Sequence, residues 1–142
     1  VRAQIVNLFM TLQATLGLTV VMVAHDLAVI REVCSTVSVM YLGRIVEEGE
    51  TRPLFERPNH PYTQALLSAV PSPNPVIERS RKRILLQGDP PSPSNPPPGC
   101  RFQTRCPIAS DICRTDDPVL RPVDHGGRAA CHFADADNRP VV

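Results

Sequence analysis

Ile5, Leu8, Phe9, Leu12 and Leu16 recur at steps of three and four residues, which lines one face of a helix. Gly17 is placed to end that helix. From Leu18 to Ala24 the pattern changes to a short β-branched run, apolar on both faces, as a buried parallel strand requires. A helix crossing into such a strand is half of a β-α-β unit. The run stops at His25 and Asp26. Asp26 suits a helix N-cap, and Ala28 to Val33 follows as a short helix. Thr36 to Leu42 predicts a strand, Gly43-Arg44 a tight turn, and Ile45 to Gly49 a strand pairing back as a hairpin. Thr51 opens another helical turn, with Pro53 near its start where a missing N–H is tolerated. Pro58 and Pro61 bracket a break. Tyr62, Ala65, Leu66 and Ala69 then share a helix face, and Ile84-Leu85-Leu86 predicts one more strand.

Proline changes this picture. Of the 16 prolines in 142 residues none precedes Pro53, and nine lie between Pro71 and Pro98. Proline fixes φ and removes a donor, so that stretch is expected to be extended and loop-like. The chain therefore divides into an α/β part over residues 1–70, a proline-rich connector over 71–98, and a tail over 99–142 holding four of the five cysteines. Net charge is +1, which argues against a protein built to bind nucleic acid through a basic face. No apolar run reaches the length of a membrane span. The opening Val1-Arg2-Ala3-Gln4 has no signal-peptide pattern and no initiator methionine, so the chain is expected to be a piece of a longer one.

Two features carry chemistry. In parallel α/β sheets ligands bind beyond the carboxyl ends of the strands. His25 sits at such an end, where an imidazole could reach a phosphate oxygen or an attacking water; a solvated histidine beside a helix cap fits the position as well. The other feature is Cys100, Cys106, Cys113 and Cys131, with five, six and 17 residues between them. These are not paired C-x-x-C knuckles. Four thiolates from a compact loop region can hold an iron–sulfur cluster or zinc, and disulfides are a third reading. His125 and His132 are substitute ligands, of lower rank because four cysteines suffice. Cys34 falls among apolar neighbours and is expected to be a small buried hydrophobe. His60 lies between prolines in a loop with no chemistry to assign. Arg79-Ser80-Arg81-Lys82-Arg83 is expected to be a solvated basic linker, with anionic lipid headgroups or a membrane partner as the alternative.

The segment TVVMVAHDLAVIREVCSTVSVMYLGRIVEEGE resembles the end of the ATP-binding subunit of an ABC transporter. In that family the strand ends in a switch histidine, and a hairpin of the form V-M-Y-x-G-x-I-V-E-x-G follows, here Val39 to Gly49. The stretch Pro58 to Pro71 is similar to the P-x-H-P-Y-T-x-x-L-L-x-A-x-P of the dipeptide and oligopeptide importer subfamily. The tail from Asn95 to Cys113 is similar to that subfamily's N-P-P-x-G-C-x-F-x-x-R-C-P-x-A-x-x-x-C, with Gln103-Thr104 where many members have a histidine.

This resemblance implies an α/β fold, the C-terminal part of a P-loop ATPase domain, followed by the proline-rich connector and an irregular Cys-rich tail. It implies that His25 contacts the γ-phosphate of ATP and that Cys100, Cys106, Cys113 and Cys131 bind a 4Fe–4S cluster, with zinc the other metal. ATP and Mg would belong to the parent subunit. Its Gly-rich phosphate loop, Walker B glutamate, signature motif and D-loop would lie before Val1. These 142 residues contain no G-x-x-x-x-G-K-[ST] and are expected neither to bind ATP tightly nor to hydrolyse it. The implied partners are a second ATP-binding subunit and transmembrane permease subunits, with no nucleic acid, at the cytoplasmic face of the cell membrane. The alternative is a metal-binding regulatory module with no part in an ATPase cycle.

Overall fold

Leu42 and Gly43 have φ of 45° and 75°. Two consecutive left-handed residues form the tight turn whose twist suits a two-residue hairpin. In the computed structural model, which describes residues 2–71, 79, 83–124 and 126–135, this turn joins β1 (Thr36–Tyr41) to β2 (Arg44–Glu50). Their antiparallel register runs from Tyr41↔Arg44 to Thr36↔Glu50 and slips between Val39 and Met40. That bulge makes Val46 the extra residue and sets Glu47 opposite Val39, so Val46 and Glu47 are both buried although adjacent.

The helices follow the expected signals closely. α1 (Arg2–Leu16) ends at Gly17, whose φ is 63°. α2 (Leu27–Val33) starts at Asp26, whose carboxylate accepts from the N–H of Ala28 at 2.8 Å and of Val29 at 3.4 Å. α3 (Thr51–Glu56) is tied to the end of α2 by Thr51, whose hydroxyl donates to Cys34 O at 2.6 Å and whose N–H donates to Ser35 O at 2.9 Å. α4 (Pro61–Ser68) carries proline at its first position.

The tail adds a 3-10 turn (Gln103–Arg105), α5 (Asp111–Thr115), β3 (Arg121–Pro122) and β4 (Arg128–Ala129). β4 pairs with β2 through Glu47↔Ala129 and Glu48↔Arg128, giving a four-stranded antiparallel sheet of order β1-β2-β4-β3. Ala130 N continues the ladder to Val46 O at 2.8 Å. The main core joins both ends of this arrangement: Val39, Tyr41, Val46 and Leu54 pack with Phe102 of the tail. The Phe102 ring lies 5.1 Å from Tyr41, edge to face, and 5.4 Å from Tyr62. A second cluster of Val123, Ala129, Cys131 and Ala134 sits behind β4.

Two expected strands do not form. Leu18 to Ala24 pairs with nothing as a strand, and Val21 and Val23 are 90% and 98% exposed. A parallel strand needs neighbours brought from far along a chain, and no other strand of the described residues is parallel. Ile84 to Leu86 is also unpaired as a strand; Ile84 N instead donates to Ser68 Oγ at 3.0 Å, fastening the segment to α4. Among the described residues no helix is long and apolar enough to cross a membrane.

Candidate functional site

His25 is exposed at a bend between the extended run and the Asp26 cap. The cap fixes the backbone immediately after it, so the imidazole leads into α2 from a defined point.

The four tail cysteines come from four separate pieces of local structure. Gly99 makes the first approach: at φ of 68°, a side-chain carbon there would meet Cys113 O at 2.5 Å and Arg114 C at 2.8 Å. Only glycine admits that contact. It lets Cys100 N donate to Cys113 O at 2.9 Å, tying two of the cysteines together. Cys106 follows the 3-10 turn, its N–H reaching Gln103 O at 3.4 Å. Cys113 is buried on α5 with Ser110 Oγ 3.9 Å from its sulfur. Cys131 leaves β4 and is buried, and its sulfur accepts from Phe133 N at 3.4 Å.

All five cysteines are free thiols, so the disulfide reading of the tail is not what the structure displays. Burial pushes the Cys106 thiol up to about 12, and raises Cys100 and Cys131 as well. Neighbouring thiols raise these values further: Cys131, Cys100 and Cys113 act on Cys106, Cys113 and Cys131 on Cys100, and Cys113 on Cys131. Opposing this, the backbone N–H groups of Phe102, Ile108 and Phe133 favour the thiolates of Cys100, Cys106 and Cys131. Asp117 disfavours the Cys100 thiolate and Arg121 favours that of Cys131. Among the described residues no three or more His, Cys, Asp or Glu side chains converge tightly enough to hold a metal ion. His132 turns away, its Nε2 3.2 Å from Asp116 O and 3.6 Å from Asp116 Oδ2. His125 lies outside the described residues. Beside the site, a cavity of about 190 Å³ separates β2 from residues 117–120. Cys100 alone of the four thiols lines it, so it is not where they meet.

A third cluster went unread in the sequence. Glu47, 2% exposed, accepts from Asn59 N at 2.7 Å and from His60 N at 3.0 Å, one bond to each oxygen. Burial pushes its carboxyl above the usual range, and those bonds pull it back in part. Thr63 helps in the same sense, although its hydroxyl falls short of a hydrogen bond. His60, 1% exposed, caps α4 with Nδ1 accepting from Tyr62 N at 3.1 Å, while its ring lies 5.6 Å from Phe102. Burial lowers its pKa to about 3, so it is a neutral acceptor at physiological pH. The H-P-Y-T stretch did carry a signal: a side-chain acceptor followed by proline is a helix start. The inward turn of Glu47 carried none, because it depends on the bulge.

Known proteins bear on these arrangements. Residues 46–113 match the family described as the oligopeptide/dipeptide transporter, C-terminal region. The chain is 52% identical over 120 residues to the oligopeptide transport ATP-binding protein OppF of Salmonella typhimurium, covering 84% of the chain and 36% of that protein. It is 53% identical over 131 residues to a Brucella ovis protein provisionally named for peptide import and ATP binding, covering 92% and 41%. It is 48% identical over 143 residues to Bacillus subtilis YkfD, provisionally named an oligopeptide transport ATP-binding protein, covering 100% and 44%. The chain thus spans about two fifths of the length of these relatives.

Proposed function

Because the chain belongs to the oligopeptide/dipeptide transporter C-terminal region family, we propose that it is part of an ATP-hydrolysing subunit that powers peptide import. The observation that carries this is identity near one half, sustained over nearly the whole chain, to proteins named for ATP binding and peptide transport. In this reading residues 1–70 finish the ATPase domain, 71–98 connect, and 99–142 form the cysteine-bearing tail. The chain contains no Gly-rich phosphate loop, so ATP and Mg would be held chiefly by residues outside it. The partners would be a second ATP-binding subunit and the permease, placing the protein peripherally at the cytoplasmic face of the membrane.

His25 would then act as a positioned polar group at the γ-phosphate, the kind of contribution phosphoryl transfer depends on. Its exposure and the fixed cap behind it suit that role. In the assembled transporter, His25→Ala should lower ATP turnover by about 10²-fold while leaving nucleotide affinity little changed. Steady-state hydrolysis near wild type would overturn the assignment.

The finer part of the proposal is a 4Fe–4S cluster on Cys100, Cys106, Cys113 and Cys131. Zinc takes the same thiolate donors and is the alternative metal. Backbone N–H groups aimed at three of the sulfurs match the hydrogen bonding that tunes such clusters. Metal–thiolate bonds would staple the tail. The protein's part is to gather the thiols, give up their protons on loading, and cover the site with Phe102 and Phe133. Protein prepared without air should contain iron and sulfide in near-equal amounts; stoichiometric zinc without iron would reject the cluster.

A further inference from the structure

Three of the cysteines lie within residues 100–113, whereas Cys131 must be returned to them across 17 intervening residues. The β3–β4 hairpin makes that return, with Arg121↔Ala129 in register. Its turn is closed by Val123 N to Gly127 O at 3.2 Å. The strands end before Cys131, so something else must set the final turn.

Arg121 does this. Its guanidinium donates to Cys131 O from both Nε and Nη2 at 3.3 Å, and from Nη2 to His132 O at 3.4 Å and Ala134 O at 2.6 Å. One planar fork thus gathers three carbonyls of a single turn, a geometry an ammonium cannot reproduce. The His132–Phe133 peptide is the informative one. Its plane is rigid and trans, so C=O and N–H point in opposite directions. Arg121 holds the carbonyl, and the N–H is thereby left facing Cys131 Sγ at 3.4 Å. Among the described residues no carboxylate neutralises Arg121, so its charge also bears on the Cys131 sulfur.

We infer that Arg121 is a positioning residue for Cys131: it fixes the 131–134 turn from its carbonyl side and so presents both the sulfur and its N–H donor to the cluster. This rests on the cluster reading of the four cysteines and goes beyond it by naming the group that delivers the remote ligand.

The test uses the full chain prepared without air, as wild type, Arg121→Gln and Arg121→Lys. The readouts are iron and sulfide content, the rate of iron loss to a chelator, and the reduction potential. Arg121→Gln should lose iron about 10-fold faster or more, in the range seen when outer-shell partners of metal ligands are removed. Its potential should move negative, because a cation beside one thiolate has gone. Arg121→Lys should keep a potential near wild type yet still lose iron faster, since charge is retained and the fork is not. Wild-type release rates in Arg121→Gln overturn the inference; should that variant fail to fold, wild-type release in Arg121→Lys does so. Faster release in Arg121→Gln with an unmoved potential also overturns it, reducing Arg121 to a general structural role. Absence of iron and sulfide from the wild type would reject the cluster reading itself, which is a separate result.

Discussion

Leu18–Ala24 and Val37–Leu42 are both short, β-branched, apolar stretches, and they meet opposite fates. The second is paired. Its partner strand is two residues away, the Leu42-Gly43 turn has the twist a hairpin needs, and the tail then covers its core face with Phe102. The first stands bare, with Val21 and Val23 almost fully exposed. α1 shares that condition: Leu8, Phe9, Leu12 and Leu16, the face its periodicity marks out, are exposed. The difference lies in where the neighbours come from. An antiparallel hairpin carries its neighbour with it, whereas a parallel strand waits for one supplied from elsewhere. The relatives are more than twice the length of this chain.

The largest expected effect tests whether the tail and the hairpin form one body. Phe102→Ala should cost about 3–5 kcal/mol, the usual range for emptying a buried aromatic site. It should loosen β1 and β2 as well as the tail, while hydrogen exchange in α1 stays unchanged. Protection lost only in residues 100–134 would show that the two pack independently.

A second test uses pH, to which only the packed body should respond in this way. His60 has an ordinary pKa of 6.5 and a folded value of about 3. The unfolded chain takes up a proton near 6.5 that the fold refuses. Its contribution is therefore fully present above that value and is lost as pH falls toward about 3. Glu47 runs the other way: raised in the fold, it costs stability as pH climbs through the carboxylate range. His60→Asn keeps a cap acceptor and should lose the acid-side decline in the urea midpoint. An unchanged decline would place the responsible group elsewhere.

The smallest effect sharpens the other half of the contrast. Val23→Ser should change stability of the 142-residue chain by less than about 0.5 kcal/mol, as exposed substitutions do. In a chain of the relatives' full length the same change should cost well over ~1 kcal/mol, because the valine would then be buried. Equal costs in the two settings would break the argument that missing neighbours leave this strand bare.

What the residues dictated by themselves was local. Helix faces, the Asp26 cap, the glycine end of α1, the proline start of α4 and the Gly43 turn all follow from periodicity and φ preference within a few positions of the chain. The motifs Val39–Gly49, Pro58–Pro71 and Asn95–Cys113 were legible for the same reason: each is a contiguous string. Tertiary structure decided the rest. The bulge at Val39/Met40 turned Glu47 inward onto Asn59 and His60, a pairing no spacing rule could give. Phe102 left the tail to fill the hairpin's core, and β4 joined β2 across some 80 residues. Arg121 reaches three carbonyls that lie ten to thirteen residues further along, on the far side of the β3–β4 pairing. Burial and long-range pairing depend on which surfaces meet, and a local pattern states only that a surface is apolar, leaving its partner to the fold.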